Sequence, residues 1–320
     1  MKYGLLNIGF MAVLAAAPVA QAQTWPTKAL VWVVPYPAGG STDILARVVA
    51  PRLGERLGQS VVIENRTGAG GVVGTAYGAR QPGDGYTLIM GNIGPIAVSP
   101  SLYKDLTYDP LKDLRPVRIM MGIPNVMTVH PNAGLDTLEK ISKEGQRDPI
   151  PYGTPGATTS PHLAGELFAL SVGTRLMHVP YKGSAPAITD LIAGHVPMMF
   201  DNLPASLPHI KSGKIKALAV TTKDRVPELP DVPTMQELGV KGYEVTGWTG
   251  VFVPAATPED RVQRLYKELD AVMSDPQVQK QIAELGGQNL SGTPEDFKTF
   301  VASEQEKWRR VTAEAGIVLQ

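Results

Sequence analysis

Three segments rich in Gly, Ser and Thr carry most of the recognition chemistry that this 320-residue chain offers. They are Pro37-Ala38-Gly39-Gly40-Ser41-Thr42-Asp43, Thr67-Gly68-Ala69-Gly70-Gly71 and Thr154-Pro155-Gly156-Ala157-Thr158-Thr159-Ser160. Glycine lets backbone amides approach a bound group, and a helix N-terminus following such a loop favours an anion. Thr and Ser hydroxyls add donors without a charge that must leave water. Neither the first nor the third segment contains Lys or Arg, so an anion held there is held by neutral groups. The plain alternative is a set of tight turns with good helix caps. Similar loops in both halves of one chain favour a binding role, since such loops sit at the carboxyl ends of strands, where α/β proteins take ligands.

Other chemistries fail on spacing. The middle segment resembles a dinucleotide fingerprint in Gly68-x-Gly70-x-x-x-Gly74, but Asn65-Arg66-Thr67 separates it from the strand. No acid closes the next strand at Met90-Gly91-Asn92 to hold a ribose. There is no phosphate loop ending in Gly-Lys-Ser/Thr. Gly39-Gly40-Ser41-Thr42-Asp43 lacks the second glycine of a nucleophile elbow, so an exported α/β hydrolase has no specific support. Five histidines are present; His162 and Glu166 share one helix face, yet no third metal ligand is indicated, and a capping His is the simpler reading. The absence of Cys removes thiolate chemistry, disulfides and iron–sulfur clusters together. With 30 basic residues against 30 acidic ones and 6% aromatics, a nucleic-acid partner is not expected. No enzyme, cofactor or metal site is expected.

The elements that must position these loops alternate between strand and helix. Ala29–Val34, Ser60–Glu64, Tyr86–Met90, Val126–His130, Leu176–Pro180, Met198–Asp201, Ile215–Thr221 and Gly247–Pro254 read as strands, and another ends at Tyr152-Gly153-Thr154. Helices are expected from Asp43 to Leu57, near Val72–Arg80, and over Ser160–Val172, Ala185–Ala193 and Ala205–Lys211. Two more begin at Thr257-Pro258-Glu259 and Thr293-Pro294-Glu295, where Thr caps, Pro opens and an acid follows. Thr42 or Asp43 is the expected cap of the first helix. This is an α/β pattern of mixed, mostly parallel sheets flanked by helices, long enough for two domains.

Residues 1–22 form an export signal: Lys2, the apolar run Ile8–Ala20, and small residues at Ala20-Gln21-Ala22 for cleavage after Ala22. The run is too short to span a bilayer. A periplasmic location follows as the expectation.

Pro35–Asp43, Val62–Gly71, Tyr152–Gly156 and His162-Leu163-Ala164-Gly165-Glu166-Leu167-Phe168 together resemble the Bug family, the periplasmic solute-binding receptors of tripartite tricarboxylate transporters. Val179-Pro180-Tyr181-Lys182-Gly183, Phe200-Asp201-Asn202-Leu203-Pro204, Lys216–Val220 and Asp231-Val232-Pro233-Thr234 match further blocks in order. The resemblance implies a two-domain Venus flytrap. One domain is Thr24–Asn125 plus Val226–Gln320, and the other Val126–Arg225. It also implies a small carboxylate ligand (dicarboxylate, amino acid or aromatic acid) gripped by Tyr36–Asp43 and Thr154–Ser160. Delivery to the membrane subunits of the transporter follows, by a monomeric receptor; a sensor kinase is the other partner class. Expected ligand residues are Tyr36, Ala38, Gly39, Gly40, Ser41, Thr42, Asp43, Asn92, Thr154, Gly156, Ala157, Thr158, Thr159, Asp201 and Trp248. Four of these have a second reading. Asp201 binds ligand or caps a helix, Trp248 lines the pocket or fills the hinge core, Asn92 forms a polar wall or a turn, and Tyr36 covers the ligand or sits on an open loop. Two departures stand out: Ala157-Thr158-Thr159 where the family often has Asn-Gly-Thr, and Thr249 where an aromatic often follows the Trp.

Overall fold

The computed structural model describes residues 25–314, so the signal segment lies outside the described residues. The first run is β1 (Leu30–Val34), α1 (Ser41–Leu57), β2 (Val61–Asn65), a 3-10 turn (Ala69–Gly71), α2 (Val72–Ala79) and β3 (Thr87–Asn92). A π-helical segment (Gly94–Val98) and α3 (Ser99–Leu102) lead to β4 (Leu114–Val129). The second run is α4 (Leu138–Arg147), β5 (Ile150–Thr154), α5 (Ser160–Val172), β6 (Leu176–Pro180), α6 (Ser184–Ala193), β7 (Met198–Asn202), α7 (Leu203–Lys211) and β8 (Lys216–Val220). The chain closes with β9 (Thr246–Pro254), α8 (Glu259–Met273), α9 (Pro276–Glu284), β10 (Gln288–Asn289) and α10 (Pro294–Glu314).

The strand order is β2-β1-β3-β9-β4-β7-β5-β6, with β8 and β10 also on β4. The outer ladders β2/β1/β3 and β7/β5/β6 are parallel, and their connecting helices cover them. The ladders of β9 and β4 between them are antiparallel. Strand β4 is the element common to both halves. Its Leu114–Pro124 stretch pairs with β9, and from Asn125 its partners become β7 and β8. The sequence suggested a strand only at Val126–His130; the sixteen residues run on because their burial is nearly unbroken, which leaves no alternation to mark a strand.

Two cores hold the first half. Leu45, Val49 and Leu53 of α1 meet Val262, Leu265 and Leu269 of α8 over one sheet face. Phe297, Val301 and Trp308 of α10 cover the other face, in a cluster that continues to Tyr152, Phe168 and Phe200 in the second half. Each such side chain contributes about 1.5–3 kcal/mol by leaving water. The switch point of β4 is polar and satisfied. Asn125 donates to Val245 O at 3.2 Å and accepts from Ser160 Oγ at 3.0 Å, while Thr221 N donates to Asn125 O at 3.0 Å.

Helix starts differ from expectation in two places. Helix α1 begins at Ser41 with Gly40 as cap, because Asp43 is engaged elsewhere. Helix α8 begins at Glu259, and Thr257 turns its hydroxyl back to Pro254 O. At α10 the expected grammar holds: Thr293 and Asp296 cap one another reciprocally. Among the described residues three helices follow Thr257, α8, α9 and α10, where the sequence suggested two; α9 went unread.

Candidate functional site

The glycine loops leave the carboxyl ends of β1, β2 and β5 and meet at the seam between the halves. In the first loop, Asn92 Oδ1 lies 2.7 Å from the Tyr36 hydroxyl and accepts from Gly94 N at 3.2 Å. The same hydroxyl lies 3.0 Å from Gly70 O, so Tyr36 ties β1, β2 and β3 together at their ends. Burial pushes the Tyr36 phenol well above its ordinary range against the Asn92 bond, so it stays a neutral hydroxyl.

Asp43 is the brace of this loop. Its Oδ2 accepts from Gly39 N at 2.9 Å and Arg47 Nε at 2.8 Å, and its Oδ1 accepts from Asn65 Nδ2 at 2.8 Å. Asn65 also donates to Tyr36 O at 3.0 Å. Burial alone would raise the Asp43 carboxyl, but the bonds from Arg47, Gly39 and Asn65 outweigh it and hold the group at about 2. Every oxygen of Asp43 is therefore turned inward to the loop. The amides of Gly40, Ser41 and Thr42 keep no protein acceptor among the described residues, nor does the Thr42 hydroxyl. Arg47 and Asn65 were missed from sequence; the four-residue spacing of Asp43 and Arg47 on one helix was the available signal.

The second loop is built differently. Thr158 Oγ1 donates to Ala157 O at 2.7 Å, Thr159 Oγ1 to Gly156 O at 2.7 Å, and Ser160 Oγ to Asn125 at 3.0 Å. Thr154 Oγ1 lies 2.6 Å from His178 Nε2 and 3.2 Å from Gly156 O. The three hydroxyls expected as ligand donors here, those of Thr154, Thr158 and Thr159, are thus engaged within the protein, as is that of Ser160. Among the described residues, the amides of Thr159 and Ser160 at the start of α5, and of Ala157 just before it, keep no acceptor. Thr158 has φ +60°, a left-handed conformation that a β-branched residue rarely adopts. This departure from the family's usual glycine therefore falls where glycine costs least.

Behind this loop lies a cluster of titratable side chains, of which sequence reasoning weighed only His162 and Glu166, reading His162 as a cap. His162 Nδ1 accepts from Thr158 N at 3.2 Å, and the His162 ring stacks on His178 with centroids 3.9 Å apart. Glu166 Oε1 accepts from the Tyr152 hydroxyl at 2.6 Å and lies 3.6 Å from His162 Nε2.

The halves touch at Thr158. A methyl added to Gly70 would stand 2.7 Å from Thr158 Oγ1, and one added to Gly94 would stand 3.3 Å from Thr158 O. Tyr36 to Asp43, Asn92 and Thr154 to Thr159 are therefore gathered in one region. Asp201 and Trp248 are not drawn into it. Asp201 is fully buried and accepts from Ser184 Oγ at 2.6 Å and Ser206 Oγ at 2.8 Å; burial pushes its carboxyl up to about 6 against these bonds. Trp248 donates to Glu304 Oε2 at 3.1 Å and packs on Phe297 and Phe300 of α10. On the face of β9 opposite Trp248, Thr249 pairs with Asn92, and its buried hydroxyl has no partner. No group of His, Asp or Glu able to hold a metal occurs among the described residues. No described helix is long and apolar enough to cross a membrane.

Two α/β halves joined by shared strands, with opposed neutral loops at the seam, define a binding-protein architecture. Residues 45–317 match the model of the tripartite tricarboxylate transporter family receptor, and the chain belongs to that family of non-enzymatic binding proteins. It is 36% identical to the protein BugT of Bordetella pertussis, over 97% of this chain and 96% of that one. An R. palustris protein solved with adipate superposes with TM-score 0.82 at 38% identity, covering 92% of this chain and 99% of its own. The periplasmic binding protein BugD gives 0.79 at 35% identity, over 92% and 100%. MatC of Rhodopseudomonas palustris, solved with malate, gives 0.79 at 29%, over 90% and 99%.

Proposed function

We propose that this chain is a periplasmic receptor that captures a small dicarboxylate between two domains and presents it to the membrane subunits of a tripartite transporter. The domains of this reading are Thr24–Asn125 with Val226–Gln320, and Val126–Arg225. The observation that carries it is the pairing of unpartnered amides across the seam. Gly40, Ser41 and Thr42 open α1 in one half, and Thr159 and Ser160 open α5 in the other, with Ala157 in the loop just before it. Helix N-termini favour carboxylates, and neither loop adds a cation. Adipate and malate in the structures of two relatives set the ligand class to test first. The Gly70–Thr158 approach supports closure as the capture step, because a ligand favours the closed form only through contacts it makes there. Delivery from the periplasm requires export, with cleavage after Ala22.

The deciding measurement is a melting screen against C4 to C6 dicarboxylates, amino acids and aromatic acids. A carboxylate at a hundred times its Kd should stabilise the protein by about 2.7 kcal/mol. Small-angle scattering with the same compound should show a smaller or unchanged radius of gyration, never a larger one. Failure of every carboxylate to raise the melting temperature would remove the ligand class. The mass of the exported protein checks the cleavage site.

A further inference from the structure

We propose that His162 is the positioning residue of the Thr154–Ser160 loop and that it holds the loop only as the neutral imidazole. The inference rests on the reading that this loop grips the ligand, and it adds the group that shapes the grip.

Thr158, buried in its left-handed conformation, makes two hydrogen bonds of its own. Its hydroxyl satisfies only the neighbouring Ala157 O, and its amide donates to His162 Nδ1 at 3.2 Å. Strain of this kind persists only where the surroundings over-determine it. The acceptor role requires a lone pair on Nδ1, so the proton of the neutral ring sits on Nε2, facing Glu166 Oε1 at 3.6 Å. Protonation turns Nδ1 into a donor, and two donors then face each other across 3.2 Å. The amide bond is lost, and Thr158 is free to leave the left-handed region. Thr158 is also the residue whose Oγ1 and O meet Gly70 and Gly94 of the other half. Relaxing it removes the contact that closure makes.

The titratable groups facing His162 each hold one protonation state. His178 of β6 stacks on it, and burial pushes His178 down to about 3. Glu166 on α5 is raised by burial but held below the ordinary carboxylate range by His162 and Tyr152, so it is ionised. Tyr152 of β5 and Tyr243, whose hydroxyl donates to Ala164 O at 2.6 Å, are both pushed up by burial and stay neutral. Each therefore keeps one protonation state between pH 5 and 8.

The test is amide hydrogen exchange at Thr158, read by NMR on ligand-free protein from pH 8 to pH 5. It uses the parent, His162→Asn and His162→Ala. Asn offers an oxygen near the Nδ1 position and does not titrate, so the ratio of parent to Asn variant at each pH cancels the intrinsic exchange rate. At pH 8 the parent and the Asn variant should protect Thr158 equally, with the Ala variant about tenfold weaker. Towards pH 5 the parent should fall about tenfold while the Asn variant holds. A parent-to-Asn ratio that stays flat overturns the proposal, and so does an Ala variant as protected as the parent at pH 8. Succinate titration of the same proteins tests the reading beneath. If exchange follows the expected course while parent and Ala variant bind succinate equally, the positioning role stands and the loop is not the grip.

Discussion

The two glycine-rich loops reach the same seam by opposite means. Tyr36–Asp43 is braced by a buried charge: Asp43 ties Gly39, Arg47 and Asn65 together. Thr154–Ser160 is braced by neutral groups, its hydroxyls turned onto its own backbone and its amide onto an imidazole. The aspartates of the two halves differ in the same sense. Asp43, with an Arg and two amide donors, is held at about 2; Asp201, with two serine hydroxyls and the Asn202 amide, is pushed up to about 6. A buried carboxylate is stable as an ion only when cationic or strong donors offset its lost hydration. The Asp43 brace thus stays charged across the neutral range, whereas Asp201 changes charge near about 6.

The hardest blow to this contrast comes from Asp43→Ala. It removes three hydrogen bonds and leaves Gly39 N unpaired, so stability should fall by roughly 3 kcal/mol with binding lost as well. Because the folded pKa is depressed, the parent keeps this stability above about pH 4 and loses it as pH falls towards 2. Urea melts of parent and variant at pH 7 measure it, and an unchanged midpoint means the loop is not braced by charge.

Asp201→Asn should act in the reverse direction. A raised folded pKa means that the parent is most stable below about pH 4 and weakens as pH rises through about 6, by no more than roughly 3 kcal/mol. The Asn variant should lack that decline in melts between pH 4 and pH 7. A parent whose stability is level over this range would place Asp201 with Asp43.

Gly70→Ala sharpens the comparison at the point of contact. The added methyl would sit 2.7 Å from Thr158 Oγ1, at a backbone φ of +64°. Dicarboxylate affinity should fall about tenfold, with a larger radius of gyration at saturation, while the ligand-free protein loses only about 1 kcal/mol. Full affinity in this variant would mean that closure does not bring Gly70 and Thr158 together.

The smallest effects separate the hydroxyls. Thr42→Ala should weaken dicarboxylate binding several-fold, because this hydroxyl is uncommitted, whereas Thr158→Ala should change it little. Thr158→Gly should raise stability by up to about 1 kcal/mol by relieving the φ of +60°. Calorimetric titrations showing equal losses for both Ala variants would erase the distinction between the loops.

Residue order along the chain was enough for the α/β alternation, the three glycine loops and the family. Helix α5 at Ser160–Val172 and strand β6 at Leu176–Pro180 fall where periodicity and capping residues place them. These features are local, written within a few residues of where they act. Tertiary structure alone decided which donors are free. Thr158 and Thr42 look alike in sequence, but one hydroxyl is spent on Ala157 O, and the other is open. Asp201 and Trp248 read equally well as ligand residues until Ser184, Ser206 and Glu304 claim their polar atoms. Strand β4 could not be seen to serve two sheets, because its partners at Thr246–Pro254 and Met198–Asn202 lie far away in the chain. A hydrogen bond depends on what the fold brings within about 3 Å, and a residue's type states only what it can offer.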